Sequence, residues 1–336
     1  MLGDYAPEEA LRRLELTIVR RLEGYLRGEH LGLLPGPGSE LAEARAYRPG
    51  EDDVRHMDWA VTARTTQPHV RDVVADRELE TWALVDLTAS MDFGTASRDK
   101  RDLAVAAVAT IGVLTQRMGD RFGGYVLREG RQRRWPARSG RLALYGLLRS
   151  LLTEPRSEPR SEAGGSGETG SLAGAVDALA RTQTRRGLRL VVSDFIEPGA
   201  PVFQQPPVFQ QSPVLAGPSA LPWETPVRRL ASRHQVLAVE VVDPREATLP
   251  DVGVVALTDP ETGAVIEVDT SRAAVREAFA TGAAAHREQV ASALRRAGCA
   301  HLVLRTDADW VTEVARFVLR HRRIARQLHA PRRGMA

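Results

Sequence analysis

Three oxygen-bearing side chains alternate along a short stretch of the chain, ALVDLTASMDFG, and could hold a metal ion. Asp86, Thr88 and Ser90 directly follow an apolar run. Alternate residues of an extended chain point to the same side, so one carboxylate and two hydroxyls would face together. These hard oxygen donors suit Mg²⁺ better than zinc, but three of them do not complete an octahedral shell. The same pattern also occurs where a residue only caps the next helix or forms a turn.

A second carboxylate, Asp194, follows the apolar run LRLVVS. The carboxyl ends of parallel strands form the ligand-binding edge of an open α/β sheet. If the runs at 80–87 and 188–193 are neighbouring strands, Asp86 and Asp194 face one crevice. Between them ETGSLAGAVDALA begins a helix, and its hydroxyls at Thr169 and Ser171 are both possible further ligands.

Strands alternate with helices over the rest of the chain. Apolar runs predict strands at 80–87, 122–127, 188–196, 235–242 and 301–306. Apolar residues at helical spacing predict helices at 98–118, 139–153, 272–297 and 309–328. A hairpin with a PETG turn is predicted at 252–269. This order predicts an α/β fold: a doubly wound, mostly parallel sheet flanked by helices.

The first part of the chain has a different character. An amphipathic helix is predicted over 8–27, and a Gly/Pro-rich loop and a strongly charged segment with short alternating runs follow it. We therefore predict an N-terminal helix and a small β-rich extension over 1–78, and the α/β domain over 79–330. The inserts at 154–168 and 198–222 repeat EPRS and PVFQQ without apolar periodicity, which predicts mobile loops.

The composition is that of a soluble globular protein, with 43% hydrophobic and 26% charged residues and a net charge of +3 over 336 residues. A bias this weak does not predict nucleic-acid binding. The basic residues are nearly all arginine, and Lys100 is the one lysine. The single cysteine, Cys299, excludes an internal disulfide. Together with the lack of an apolar leader or membrane-length run, it predicts a cytoplasmic location with no membrane span.

The segment D-L-T-A-S resembles the D-x-S-x-S motif of von Willebrand factor A domains, with threonine in place of the first serine. That family binds a divalent cation through this motif, a threonine from a second loop and an aspartate from a third. The resemblance implies Mg²⁺, or another hard divalent cation, as cofactor. The ligands it implies are Asp86, Thr88, Ser90, Thr169 and Asp194. ETGSL is about one residue out of register with the family's Gly-Thr-x-Leu, so Ser171 stays an alternative to Thr169.

The upstream segment GPGSELAEARAYRPGEDDVRHMDWAVTART resembles a hallmark of the bacterial domain-of-unknown-function family fifty-eight, with one extra residue in its Gly-Glu-Asp-Asp region. Its charged residues and tryptophan form a second candidate site. The members are Arg45, Asp53, Arg55, Asp58, Trp59 and Arg64. We interpret them as a buried ion network that locks this segment onto the following domain, with a partner-binding surface as the alternative.

The resemblance implies a non-enzymatic, metal-dependent protein-binding adaptor or co-chaperone. Its implied partners are a MoxR-type AAA+ ATPase and a client protein, one of which would bring a carboxylate to the metal. The first alternative is a Mg²⁺-dependent hydrolase acting on phosphate esters, against which stand the missing P-loop and the lack of a general-base pair. The second is nucleic-acid binding by the basic C-terminal helix, whose face could equally contact an acidic protein or an anionic membrane surface; no nucleic-acid partner is expected.

Overall fold

The computed structural model divides the chain into two compact units, residues 34–78 and the remainder, and we describe each by itself. The described residues are 5–26, 44–47, 57, 59–65, 67–71, 80–96, 98–115, 120–128, 131–156, 171–183, 185–196, 221–258 and 265–328. The small unit contains β1 (Ala44–Ala46) and β2 (His69–Arg71), which pair antiparallel, and α2 (Trp59–Thr65).

A six-stranded sheet forms the centre of the main unit. Its strands are β3 (Glu80–Asp86), β4 (Arg121–Arg128), β5 (Arg131–Ser139), β6 (Leu188–Ser193), β7 (Gln235–Val242) and β10 (Ala300–Arg305). They lie in the order β10-β7-β6-β3-β4-β5, and every neighbouring pair is parallel except β4 with β5. Counted along the chain, this is the doubly wound order 3-2-1-4-5-6. It confirms the predicted fold class, a mostly parallel α/β sheet of the von Willebrand factor A type.

Helices cover both faces of this sheet. They are α1 (Pro7–Leu26), α3 (Lys100–Thr115), α4 (Arg141–Thr153), α5 (Leu172–Thr182), α6 (Glu224–Ala231), α7 (Ala273–Arg296) and α8 (Trp310–Leu328). α5, α6 and α7 bury one face in a core around Trp82 and Leu84, and α3 and α4 pack on the other. The central strands β3 and β6 are buried at every position, as parallel strands covered on both faces must be.

The strand β5 was not predicted from the sequence. Its residues, RQRRWPARS, are mostly exposed and carry four arginines and a proline. These residues suit the open edge of a sheet, where charge and proline discourage pairing with another chain. An apolar pattern is therefore missing from a strand that needs none on its outer side.

Helix α1 belongs to the main unit and not to the N-terminal extension, which corrects the predicted division at residue 79. Its apolar stripe is buried at Leu14, Ile18 and Leu22, and the helix packs against α3, α4 and α8. An ion pair between Arg21 and Asp309, at 3.0 Å, joins it to the start of α8. An amphipathic helix needs a surface for its apolar face, and the main unit supplies it.

The predicted hairpin is confirmed: β8 (Val254–Thr258) pairs antiparallel with β9 (Val265–Asp269). The predicted mobile loops fall largely on 157–170 and 197–220, outside the described residues. Over the described part of the chain, no helix has the length and apolar character needed to cross a bilayer.

Candidate metal centre

Asp86 is the last residue of β3, and the three predicted oxygen donors meet around it. Its Oδ1 accepts hydrogen bonds from the Thr88 amide at 3.0 Å and the Thr88 hydroxyl at 2.7 Å. The Thr88 and Ser90 hydroxyl oxygens lie 3.3 Å apart. Thr88 stands at the N-cap of a short 3-10 helix, Ala89–Asp92, but its side chain makes no capping hydrogen bond. The hydroxyl therefore points to the carboxylate, which favours a ligand cluster over a simple cap.

The spacing of these oxygens fits a small divalent cation. Adjacent ligands of an octahedral Mg²⁺ lie about 2.9 Å apart, since each metal–oxygen bond is about 2.0–2.1 Å. The two spacings in the triplet, 2.7 and 3.3 Å, fall on either side of that value. Among the residues that the structure describes, no group of three or more His, Cys, Asp or Glu side chains could hold a metal. The hydroxyls are thus essential to the candidate centre.

Electrostatics at Asp86 also favour a cation. Burial raises the pKa of this carboxyl to about 7, and the negative charge of Asp194 raises it further, while hydrogen bonds from Ser193 and Thr88 act in the opposite direction. The Ser193 hydroxyl donates to Asp86 Oδ2 at 2.7 Å. An ionised Asp86 therefore lacks positive charge nearby, and a divalent ion would supply it.

Asp194 lies at the same edge of the sheet, because β6 pairs directly with β3. This confirms that the two strands are neighbours, as the sequence analysis required. Asp194 Oδ1 accepts the Ile196 amide at 3.0 Å, and Oδ2 accepts the Lys100 ammonium at 2.8 Å. The next residue, Phe195, has a φ of 58°, in the left-handed region that bulky residues rarely adopt. Strain of this kind is found where the surrounding structure fixes a functional backbone.

Lys100 and Glu246 complete the centre, and the sequence analysis missed both. Lys100, the first residue of α3, is fully buried, and its ammonium donates to Asp194 and to Glu246 Oε1. Burial alone would lower the pKa of Lys100, but the two carboxylates outweigh it and raise that pKa. Burial raises the pKa of Glu246, and Lys100 opposes the shift. The one available signal was that an arginine-rich chain keeps a single lysine here.

Asp243 orients Glu246 and joins three strand ends. It precedes a 3-10 helix, Pro244–Glu246, whose capping box includes a bond from the Asp243 amide to Glu246 Oε2 at 2.9 Å. The Asp243 carboxylate accepts the Thr95 amide at 2.8 Å, the Thr95 hydroxyl at 2.6 Å and the Thr306 hydroxyl at 2.7 Å. Burial would raise its pKa, but these hydrogen bonds prevail and lower it. The loops after β3, β7 and β10 are therefore held together behind the candidate ligands.

We expect Asp243→Ala to lower the free energy of unfolding by about 3–5 kcal/mol, because it leaves several buried donors without an acceptor. Chemical denaturation monitored by circular dichroism measures this loss. Asp307→Ala is the matched control, since Asp307 follows β10 at the same edge but is exposed and pairs with Arg305 at the surface. Its cost should stay below about 1 kcal/mol. Similar losses in both variants would contradict the role assigned to Asp243.

The second-loop ligand stays undecided. Thr169 lies outside the described residues. Ser171 is the N-cap of α5, where its hydroxyl oxygen accepts the Gly174 amide at 3.1 Å. That capping bond accounts for Ser171 without a metal, so Thr169 stays the prediction for this position.

The charged network of the N-terminal segment is described at two of its members. Trp59 is 70% exposed, and Arg64 is exposed as well. Asp53, Arg55, Asp58 and the Arg45 side chain lie outside the described residues. An indole this exposed does not favour the buried form of the network.

The family profile described as "Protein of unknown function DUF58" matches residues 43–289, which is more than half of the chain. The chain belongs to the DUF58 family. An uncharacterized protein of Mycobacterium tuberculosis is 48% identical to this DUF58 protein over 314 residues, which cover 94% of this chain and 89% of the relative. An uncharacterized protein of Mycobacterium avium is 42% identical over 190 residues, covering 56% and 95% of the two chains.

Solved structures similar to this DUF58 protein include bacterial and proteasomal proteins. BatB from Bacteroides thetaiotaomicron shares 14% identity, with 73% of this chain and 99% of that chain covered and a TM-score of 0.39. The von Willebrand factor A domain of SpRpn10 shares 8% identity over 71% and 94% of the chains, with a TM-score of 0.34. Similarity at this level carries no functional argument, and the fold is established by the strand order given above.

Proposed function

We propose that this DUF58 protein is a non-enzymatic adaptor that binds other proteins through a divalent cation, Mg²⁺. Asp86, Thr88 and Ser90 would hold the ion, with Thr169 and Asp194 completing the centre. The observation that carries the proposal is the convergence of a buried carboxylate and two hydroxyls at the carboxyl edge of the sheet. An ion bound by few carboxylates keeps much of its positive charge and attracts an acidic group from a partner.

The chemistry of the centre supports binding over catalysis. A hydrolase would need a group that activates water or attacks the substrate. The carboxyl of Asp194 is paired with Lys100, and burial raises the pKa of the Cys299 thiol to about 12, which makes it a poor nucleophile. An open cleft of about 450 Å³ begins beside Asp194 and Glu246 and runs along α7 past His286. A partner's side chain could reach the centre from this side.

The partners proposed are a MoxR-type AAA+ ATPase and a client protein, as the family resemblance implies. Capture of such an ATPase by the immobilised protein tests the proposal. We expect Asp86→Ala to abolish capture in Mg²⁺ and Asp307→Ala to leave it unchanged. The variants carry the test better than a chelator does, because an AAA+ ATPase needs Mg²⁺ for its own nucleotide. Equal capture by Asp86→Ala and the wild type would contradict metal-dependent binding, and a phosphatase activity lost in Asp86→Ala would replace the adaptor by a hydrolase.

A further inference from the structure

The ammonium of Lys100 occupies the space between two carboxylates at the candidate metal centre. It contacts Asp194 Oδ2 at 2.8 Å and Glu246 Oε1, and its side chain is fully buried. The second oxygen of Asp194 accepts the Ile196 amide. Both oxygens of Asp194 are therefore already hydrogen-bonded, whereas the oxygens of Asp86 accept bonds from hydroxyls and an amide alone.

The position of Lys100 is fixed on both sides. Its amide donates to the Phe93 carbonyl at 2.9 Å, which anchors the start of α3 to the loop that follows the ligand triplet. Glu246 is held by the capping box of Asp243, which is itself tied to Thr95. A buried ammonium that left these partners would lose its compensating charges at a high free-energy cost. The lysine is thus a permanent part of the centre.

This arrangement restricts what Asp194 can do for a metal ion. Each carboxylate oxygen has a second lone pair, so direct bonding is sterically possible. It would, however, place a divalent ion and an ammonium on the same carboxylate in a buried site, where like charges repel strongly. A water molecule between Asp194 and the ion avoids that contact. Three ionised carboxylates against one ammonium leave two negative charges in excess, which a divalent ion balances.

We propose that Lys100 is a positioning residue that reserves Asp194 for the protein's own ammonium, so that Asp86 is the carboxylate that bonds the divalent ion directly. The ion then keeps water-filled positions that the acidic group of a partner can take over. This inference rests on the proposed function, because it concerns the same centre. It makes Lys100 and Glu246 determinants of how strongly the bound ion attracts an anionic ligand.

Mn²⁺ is a suitable probe, because electron paramagnetic resonance measures its affinity and water-proton relaxation measures how many water molecules it carries. Lys100→Met/Glu246→Gln removes one positive and one negative charge, so the formal charge stays that of the wild type while Asp194 is released. We expect this double variant to bind Mn²⁺ about tenfold more tightly, as outer-shell changes alter metal affinity by about 10–100-fold. We also expect the bound ion to carry about one water molecule fewer than in the wild type. Unchanged affinity and water number in the folded double variant would overturn the inference.

Asp194→Ala gives a second test that leaves Lys100 paired with Glu246. If Asp194 reaches the ion through water, its removal leaves the number of bound water molecules unchanged. If Asp194 bonds the ion directly, one more water molecule binds, and the inference is overturned. Glu246→Gln is the charge control: it should weaken Mn²⁺ binding without changing the water number. A wild-type protein that binds no Mn²⁺ would overturn the metal centre of the proposed function, whereas binding with the opposite water numbers would overturn the role of Lys100 alone.

Discussion

Saturating Mg²⁺ raises the melting temperature of the wild-type protein, and Asp86→Asn abolishes the rise. At a free ion concentration about 100 times Kd, binding adds about 2.7 kcal/mol to stability, which we expect to shift the melting temperature by about 5 °C. Asparagine keeps the shape of the side chain but removes the charge that holds the ion. Differential scanning fluorimetry with and without Mg²⁺ measures the effect.

The matched control for this measurement is Asp307→Asn, an exposed aspartate at the same edge of the sheet. It should respond to Mg²⁺ as the wild type does, since it lies outside the centre. If Asp86→Asn and the control gain the same number of degrees, Mg²⁺ acts somewhere other than at Asp86.

The second large effect is a pH dependence of the metal-free protein. Asp86 has a pKa raised to about 7 in the folded state, against a model value of 3.8. The folded protein therefore holds this proton where the unfolded chain releases it, so stability is highest below about pH 4 and falls as the pH rises towards 7. The full loss is on the order of 4 kcal/mol, since each pKa unit corresponds to about 1.4 kcal/mol. Above pH 7 no further loss is expected from this group.

Urea unfolding of the metal-free wild type and of Asp86→Asn, from pH 4 to 8, isolates this contribution because all other titrating groups are shared. We expect the variant to be the more stable protein at pH 8 by a few kcal/mol, and this advantage to disappear towards pH 4. Mg²⁺ should remove the advantage at pH 8, because the ion binds the ionised carboxylate, and its apparent affinity should fall about tenfold per pH unit below 7. A difference in stability that stays constant over this range would show that Asp86 does not titrate there.

The sequence by itself predicted the features that depend on local pattern. Apolar runs of strand length and helical periodicity predicted the α/β class, and the alternation of Asp86, Thr88 and Ser90 predicted three oxygens on one side of the chain. Asp194 was predicted to share their crevice from its place after another buried strand, and the pairing of β6 with β3 confirms that these strands are neighbours. These predictions succeed because strand and helix periods act over a few residues.

Only the tertiary structure decided the rest of the centre. Lys100 meets Asp194 across 94 residues and Glu246 across 146, and Asp243 meets Thr95 across 148. Such pairs depend on the order in which the strands lie in the sheet, which no local period encodes. The edge strand β5 and the packing of α1 were missed or misassigned for the same reason, since each is set by its neighbours in space. Asp86 could therefore be found as a candidate ligand from sequence, whereas the buried lysine that shares its centre became visible only when the strand ends were brought together.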